Sequence, residues 1–222
     1  MDALPGLCEV CRRWSACALC AECVARFAVV VPRCTRCALR LGARSGTCGN
    51  CLHEAPPFEH TACVADYSFP WDRLIAEFKF HGRAELAVVL APLLAGAAAT
   101  LPSPDLVLPV PLAARRLAER GFNQAWELAR RVARQRRLPA RADVLSRPVE
   151  GAHQAELSRA QRQANLRAAF VVRAPARGAI AGRRVALVDD VLTTGATARE
   201  AAAALLRAGA AAVDVWVLAR TP

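Results

Sequence analysis

Residues 185–197 constrain the fold of this chain of 222 residues more than any other segment. The segment opens with an uninterrupted apolar run of strand formers at residues 185–188. Such a run is typical of a strand covered on both faces in a parallel sheet. Asp189 and Asp190 follow the run directly. Because ligands bind at the carboxyl ends of the strands in open α/β sheets, the sequence predicts a binding site here.

The residue types after this strand suit a sugar phosphate. Two ionised carboxylates accept hydrogen bonds from vicinal hydroxyls such as those of ribose. Small residues then let successive backbone N–H groups curl around a phosphate: Thr193, Thr194, Gly195, Ala196 and Thr197. A helix predicted over residues 197–208 points the positive end of its dipole at the same phosphate. An acidic turn with a threonine N-cap is the alternative, but a cap accounts for one threonine only.

This block resembles the signature of the phosphoribosyltransferases, in which a hydrophobic strand leads into Asp-Asp and then Thr-Thr-Gly-x-Thr. The resemblance implies that Asp189 and Asp190 hold the ribose hydroxyls of phosphoribosyl pyrophosphate. It implies that residues 193–197 hold the 5′-phosphate, and that Mg²⁺ accompanies the pyrophosphate.

Strand and helix patterns alternate from about residue 61 onwards, which indicates a doubly wound parallel sheet. The predicted strands lie at 106–110, 185–188 and 212–218, and residues 61–69 are predicted as a strand or a hairpin. The predicted helices lie at 71–80, 122–137 and 197–208. Residues 86–101 are apolar but shorter than the roughly 20 residues of a membrane span, so we expect a core helix and no membrane insertion. The N-terminus lacks the features of a signal peptide, so we expect a cytoplasmic protein.

Nine of the ten cysteines lie within the first 51 residues, mostly in CxxC pairs. Two such pairs close one tetrahedral zinc site, so sequential pairing predicts two structural Zn²⁺ sites. Their ligands would be Cys8, Cys11, Cys20 and Cys23 in one site, and Cys34, Cys37, Cys48 and Cys51 in the other. Cys17 is also in CxxC register with Cys20, which leaves open a pair of Cys17 with Cys20. A redox function is the competing interpretation of a single CxxC pair.

The net charge of +11 is concentrated between Arg115 and Arg147, where ten arginines face three acidic residues. This excess predicts an anionic partner, either a polyphosphate or a nucleic-acid backbone. Arg115, Arg116 and Arg120 lie in a predicted basic loop that follows the strand at 106–110, and their guanidinium forks suit a pyrophosphate. A solvated helix face is the alternative for each of them taken singly. The run from Arg120 to Gln124 adds amide donors at a helix start.

Taken together, these features resemble the ComF family of competence-related proteins over nearly the whole length of the chain. The matching pieces are the four CxxC pairs, Phe-Lys-Phe around Lys79, Pro-Val-Pro-Leu with Arg-Gly-Phe-Asn-Gln, the Asp-Asp block, and the spaced set Gln154, Leu157, Ser158, Arg162, Asn165 and Phe170. Ala38, where a knuckle often has glycine, and His153, where threonine is common, depart from the pattern. The resemblance implies a type I phosphoribosyltransferase-like domain at 61–222, preceded by a double zinc ribbon at 1–60.

The ComF resemblance implies a protein that binds phosphoribosyl pyrophosphate and acts in DNA uptake during natural transformation. Single-stranded DNA and proteins of the competence machinery are the partners expected from it. A metabolic phosphoribosyltransferase acting on an unidentified base or amine is the alternative, and a nucleic-acid adaptor without enzymatic function is a third hypothesis. No residue of the sequence identifies the acceptor or a catalytic group.

Overall fold

The computed structural model describes residues 6–42, 46–147 and 169–222. Within these ranges, three 3₁₀ segments accompany the regular elements: Ala84–Leu86, Ala98–Thr100 and Ala174–Ala179. In chain order these elements are β1 (Gly6–Leu7), β2 (Trp14–Ser15), α1 (Ala21–Phe27), α2 (Gly49–His53), β3 (Thr61–Asp66), α3 (Trp71–Phe80), α4 (Ala87–Ala97), β4 (Leu106–Pro109), α5 (Ala114–Arg120), α6 (Gln124–Arg136), β5 (Leu145–Ser146), β6 (Val171–Val172), β7 (Arg184–Leu192), α7 (Ala196–Arg207) and β8 (Ala212–Arg220).

The main sheet contains four parallel strands in the order β3-β8-β7-β4. Strand β7 is central, and its Val188 lies between Pro109 of β4 and Trp216 of β8. Alternate residues of a strand point to opposite faces, and β7 is apolar on both. Ala186 and Val188 face one side of the sheet, and Val185 and Leu187 face the other.

Helices cover both faces of this sheet. Helices α3, α4 and α6 pack on the face of Ala186 and Val188, around the buried side chains of Phe78, Leu90 and Leu128. Helix α7 and the 3₁₀ segment Ala174–Ala179 pack on the other face. The fold class predicted from the sequence is confirmed, because a doubly wound parallel sheet follows a small cysteine-rich module.

Both edges of the sheet are covered by other parts of the chain. At the β3 edge, Thr61 N–H donates to the carbonyl of Thr35 over 3.2 Å, and Arg33 pairs with Asp66 over 2.6 Å. At the β4 edge, Val107 N–H donates to the carbonyl of Pro139 over 2.9 Å. Covered edges prevent further strands from adding to the sheet. The cysteine-rich module is therefore packed along the domain that follows it.

The central strand is longer than residues 185–188. Strand β7 continues through both aspartates to Leu192, because its pairing with β8 continues to the register Leu192 with Arg220. Backbone pairing does not depend on side-chain polarity, and the apolar run alone therefore underestimated the strand.

Helices α3 and α6 lie close to their predicted positions, whereas α5 replaces a predicted basic loop. Its sequence consists of alanine, arginine, leucine and glutamate, which are strong helix formers. Gly121, at a φ of 76°, ends the helix in the left-handed conformation that glycine adopts readily. Among the described residues, none of the helices is both long and apolar enough to cross a membrane.

Part of the set that resembles the ComF family lies outside the described residues, namely His153, Gln154, Leu157, Ser158, Arg162 and Asn165. Phe170 is described and buried in the core on the α7 face.

Candidate functional site

Asp189 and Asp190 occupy different environments near the carboxyl end of β7. Asp189 is half-buried, whereas the side chain of Asp190 is only 4% exposed. Lys79, in the last turn of α3, places its Nζ atom 2.6 Å from Oδ1 of Asp190. The second carboxylate oxygen, Oδ2, is buried and has no hydrogen-bond partner within the described residues. The aspartate that meets solvent is Asp189, and Asp190 holds the lysine beside it.

The ionisation of Asp189 depends on its surroundings. Desolvation and the neighbouring carboxylate of Asp190 raise the pKa of Asp189 to about 7. The N–H of Asp190 and the positive charges of Lys79 and Arg120 act in the opposite direction and are too weak to restore the ordinary value. Asp189 is therefore a carboxylate that changes charge near neutral pH.

The threonine loop, residues 193–197, leads from the end of β7 into the first two residues of α7. Gly195 is its turning point, at a φ of 81°, and precedes the first residue of α7. Thr194 supports the turn by accepting a hydrogen bond from the N–H of Ala196 over 3.3 Å. The first N–H groups of a helix have no partner within the helix, and its dipole is positive there. The loop therefore presents backbone donors next to the aspartates.

The three arginines predicted to hold a pyrophosphate all lie on α5 and differ in their contacts. Arg120 stacks on the exposed ring of Phe80, with its guanidinium carbon 4.8 Å from the ring centroid, and its charge acts on Asp189. Arg115 is 90% exposed and pairs with Glu119, and Arg116 is also exposed. Helix α5, which carries all three, has no buried residue within the described part of the chain. Arg120 is thus the arginine of the three that lies nearest the aspartates.

The two amide side chains after Arg120, Asn123 and Gln124, lie at the start of α6. Asn123 caps α6, because its Oδ1 accepts hydrogen bonds from the N–H groups of Ala125 and Trp126. Its Nδ2 donates to the carbonyl of Val110 over 3.1 Å, which fastens α6 to the end of β4. Gln124 is buried, and its Oε1 has no partner within the described residues.

Eight cysteines form two groups, each with its sulfur atoms within 4.8 Å of one another. The first cysteine cluster contains Cys8, Cys11, Cys20 and Cys23, and the second contains Cys34, Cys37, Cys48 and Cys51. The Sγ atoms of Cys11 and Cys20 are 3.7 Å apart, and those of Cys37 and Cys48 are 3.6 Å apart. Tetrahedral zinc with Zn–S bonds of about 2.3 Å needs edges of about 3.8 Å. Both clusters therefore fit zinc.

The two clusters repeat one backbone arrangement. Arg12 and Ala38 each follow the second cysteine of a pair, adopt a φ of 60° and 55°, and donate their N–H to the carbonyl of the first cysteine. Ala38 is thus compatible with the knuckle geometry, although it replaces a glycine.

The first cysteine of each cluster lies among backbone N–H donors. Desolvation disfavours the Cys8 thiolate, but the N–H groups of Cys11, Cys20 and Val10 outweigh it and lower the pKa of Cys8 to about 6. Burial is likewise outweighed at Cys34, where the pKa is lowered to about 7. Burial raises the pKa of Cys23 and Cys37 in the same clusters. Cys8 and Cys34 therefore ionise first, and metal binding would release the protons of the other ligands.

Cys17 and Cys63 lie outside these clusters. Cys17 is exposed, and the first cluster is completed by Cys20 with Cys23. Cys63 is half-buried against the core, and its Sγ donates to the carbonyl of Ala65 over 3.1 Å.

A further group of Glu59, His60 and Asp214 also has metal-binding side chains close together. Arg184 already pairs with Glu59 over 2.8 Å and with Asp214 over 3.1 Å. This group lies at the opposite end of the strands and is an ion-pair network around a guanidinium.

The basic helix α6 is partly neutralised. Arg130 and Arg131 both pair with Glu127, whereas Arg134 and Arg137 are exposed. Pairing with Glu127 lowers the net positive charge that the first two arginines present to solvent.

Comparison with known proteins identifies relatives over the full length of the chain. The DNA utilization protein YhgH of Salmonella typhi is 38% identical over 233 residues and covers 100% of both chains. Competence protein F of Haemophilus influenzae is 35% identical over 195 residues, with 85% of each chain covered. No protein-family model matches the chain.

Among solved structures, the glutamine phosphoribosylpyrophosphate amidotransferase of B. subtilis is similar to this chain. It is 23% identical, with a TM-score of 0.46, and the match covers 63% of this chain and 30% of that one. The full-length sequence matches show that the chain belongs to the family of DNA utilization protein YhgH and competence protein F, the ComF family.

Sequence reasoning missed the ion pair of Lys79 with Asp190. Lys79 was identified only through the Phe-Lys-Phe resemblance, yet it is the only lysine among thirty basic residues. A single lysine in an arginine-rich chain was a signal that a compact ammonium is needed at this position. Nothing in the local sequence indicated that Arg220 contacts both Cys37 and the threonine loop.

We expect the purified, reduced protein to hold two zinc ions, since each cluster provides four thiolates in tetrahedral geometry. Cys48→Ser should leave one zinc ion, and the matched variant Cys17→Ser should leave two. Elemental analysis of folded protein measures both. Loss of a zinc ion from Cys17→Ser, or at most one zinc ion in the folded wild type, would contradict the two-cluster arrangement.

We expect Asp190→Asn and Asp189→Asn to affect stability in different ways. Asp190→Asn leaves Lys79 buried without its partner, at a cost of about 3 kcal/mol. Because the pKa of Asp189 is raised in the folded protein, its protonated form contributes to the free energy of unfolding. This contribution is complete at low pH and is lost as the pH rises through about 7. Asp189→Asn removes this loss, so the variant should gain stability relative to wild type between pH 6 and pH 8. Thermal unfolding at both pH values measures the difference. A relative loss between those pH values would show that Asp189 is not held at a raised pKa.

Proposed function

We propose that this protein binds phosphoribosyl pyrophosphate with Mg²⁺ at the carboxyl edge of its sheet and serves the uptake or handling of DNA in the cytoplasm. The observation that carries the proposal is the juxtaposition of a half-buried Asp189 with a threonine loop that opens helix α7. The names of its family members, DNA utilization protein and competence protein, support the cellular role.

Different residues of the site bind different parts of the ligand. Asp189, when ionised, accepts hydrogen bonds from the ribose hydroxyls. The threonine loop and the first turn of α7 donate to the 5′-phosphate. Lys79 stays with Asp190, and Arg120 contributes positive charge on the side of α5. These roles require a charged Asp189, so binding should strengthen as the pH rises through about 7.

Transfer of the phosphoribosyl group is the alternative activity of the same site. Mg²⁺ bound to the pyrophosphate would neutralise part of the charge that develops as this group leaves. Arg120 and the backbone donors stabilise charge without having to reorganise, which is how preorganised sites lower a barrier.

Calorimetric titration with phosphoribosyl pyrophosphate and Mg²⁺ tests the proposal. Asp189→Asn should weaken binding at least tenfold, since a hydrogen bond to a charged group contributes about 1.5–3 kcal/mol. The matched variant Asp105→Asn, at the opposite end of the strands, should bind as wild type does. Absence of binding by wild-type protein, or equal affinity in Asp189→Asn, would reject the site.

Direct DNA contact is expected on α6, away from the ligand site. Binding of single-stranded DNA should weaken with salt by about 0.7 log units per phosphate contacted, for each log unit of salt. Arg134→Gln with Arg137→Gln should therefore reduce the slope by about 1.4. Arg130→Gln with Arg131→Gln should reduce it less, because Glu127 already neutralises part of that pair.

The two arginine pairs are each other's controls, and both double variants should retain affinity for phosphoribosyl pyrophosphate. If single-stranded DNA binds with a slope that neither pair changes, or does not bind at low salt, the metabolic transferase becomes the better hypothesis.

A further inference from the structure

Arg220, the last residue of β8, connects the second cysteine cluster to the start of the threonine loop. Its Nε donates to the carbonyl of Cys37 over 3.1 Å. Its Nη1 donates to the carbonyl of Leu192 over 3.1 Å and also contacts the carbonyls of Thr193 and Thr221. One guanidinium thus joins a cysteine of the cluster to the two residues that lead into the loop.

A second arginine makes a parallel connection on the other side of the loop. Arg199, in the first turn of α7, lies 3.4 Å from both Oε1 and the backbone carbonyl of Glu54. Glu54 ends α2, the helix that carries Cys51. The cavity enclosed between cluster and loop is small, about 80 Å³, and is lined in part by Cys37, Cys48, Cys51, Thr194, Gly195 and Arg220. The cluster therefore lies directly behind the loop.

Peptide geometry gives these contacts a consequence for ligand binding. In a trans peptide, the carbonyl of one residue and the N–H of the next point in opposite directions. The carbonyl of Leu192 also accepts a hydrogen bond from the N–H of Thr221 over 3.1 Å, so sheet pairing and Arg220 together fix the N–H of Thr193. By holding the carbonyl of Thr193, Arg220 turns the N–H of Thr194 away from the cluster. Those N–H groups belong to the loop proposed to bind phosphate. Arg220 therefore sets the direction of donors that it does not itself supply.

We infer that Arg220 is a positioning residue through which metal in the second cysteine cluster holds the threonine loop in its binding conformation. The inference rests on the proposed function for its ligand, phosphoribosyl pyrophosphate. Metal fixes the knuckle that presents the Cys37 carbonyl, and Arg220 transmits that position to the loop. Coupling of this kind is reciprocal. The ligand must therefore raise the affinity of the cluster for metal by the same factor by which metal raises the affinity for the ligand.

The first test needs no ligand and measures amide hydrogen exchange in residues 192–197. Cys48→Ser, which empties the second cluster, and Arg220→Met, which keeps both clusters, should each accelerate exchange there by at least about fivefold. Cys11→Ser, in the first cluster, should leave the loop unchanged and affect α3 instead, because Phe27 of that module accepts a hydrogen bond from Trp71. Arg207→Met, at the far end of α7, is the matched control and should change neither region.

The second test measures release of zinc to a zinc-selective chelator, with and without phosphoribosyl pyrophosphate and Mg²⁺. In wild-type protein the ligand should slow release of one of the two zinc ions by at least about fivefold. In Arg220→Met both ions should remain bound at the start and leave at rates that the ligand does not change. Arg220→Lys should behave as Arg220→Met does, because an ammonium lacks the separate Nε and Nη1 donors that reach Cys37 and the loop from one planar group.

The outcomes separate this inference from the proposed function. If wild-type protein does not bind phosphoribosyl pyrophosphate, the proposed function is wrong, and hydrogen exchange still decides whether the cluster positions the loop. If the ligand binds but neither exchange nor zinc release responds to Arg220→Met, the inference is overturned. Restoration by Arg220→Lys would also overturn it, because a point charge would then be sufficient without the planar fork that holds the carbonyls.

Discussion

The ion pair of Lys79 with Asp190 is the interaction on which the site depends. A carboxylate in a central strand, covered on both faces, is costly to bury unless a cation is held against it. Helix α3 supplies that cation, so its position is tied to β7 as well as to the hydrophobic core. The pair also gives two adjacent aspartates different environments. Asp190 is buried against the lysine, and Asp189, with its pKa raised to about 7, is only half-buried.

The cysteine-rich module supports both sides of this site. Its first half packs under α3, where Trp71 Nε1 donates to the carbonyl of Phe27 over 2.8 Å and Arg83 pairs with Glu9 over 2.8 Å. Its second half covers β3 and lies behind the threonine loop. Around the second cluster the buried apolar residues are mainly cysteines, so metal binding would supply much of the stability of that half. The module is therefore part of the architecture of the site.

Ligand and DNA hypotheses concern different surfaces of one molecule. The carboxyl edge of the sheet offers a carboxylate, a loop of small residues and a helix start, a combination suited to a sugar phosphate. Helix α6 offers arginines along an exposed face, two of which Glu127 partly neutralises. Asn123 donates a hydrogen bond that connects the start of α6 to the end of β4, so the two surfaces are joined through this strand. The residues that form the two surfaces are chemically different.

The sequence alone determined the parallel sheet, the eight clustered cysteines and the segment that contains both aspartates, because these patterns depend on residues close together in the chain. It predicted a loop where α5 lies, although residues 114–120 are strong helix formers. It also ended β7 too early, because pairing with β8 extends the strand beyond the apolar run. Only the tertiary structure showed that Asp190 is buried against Lys79 and that Arg220 bonds to Cys37, 183 residues away along the chain. Such contacts arise from how helices and modules pack on the sheet, and local sequence patterns do not predict that packing.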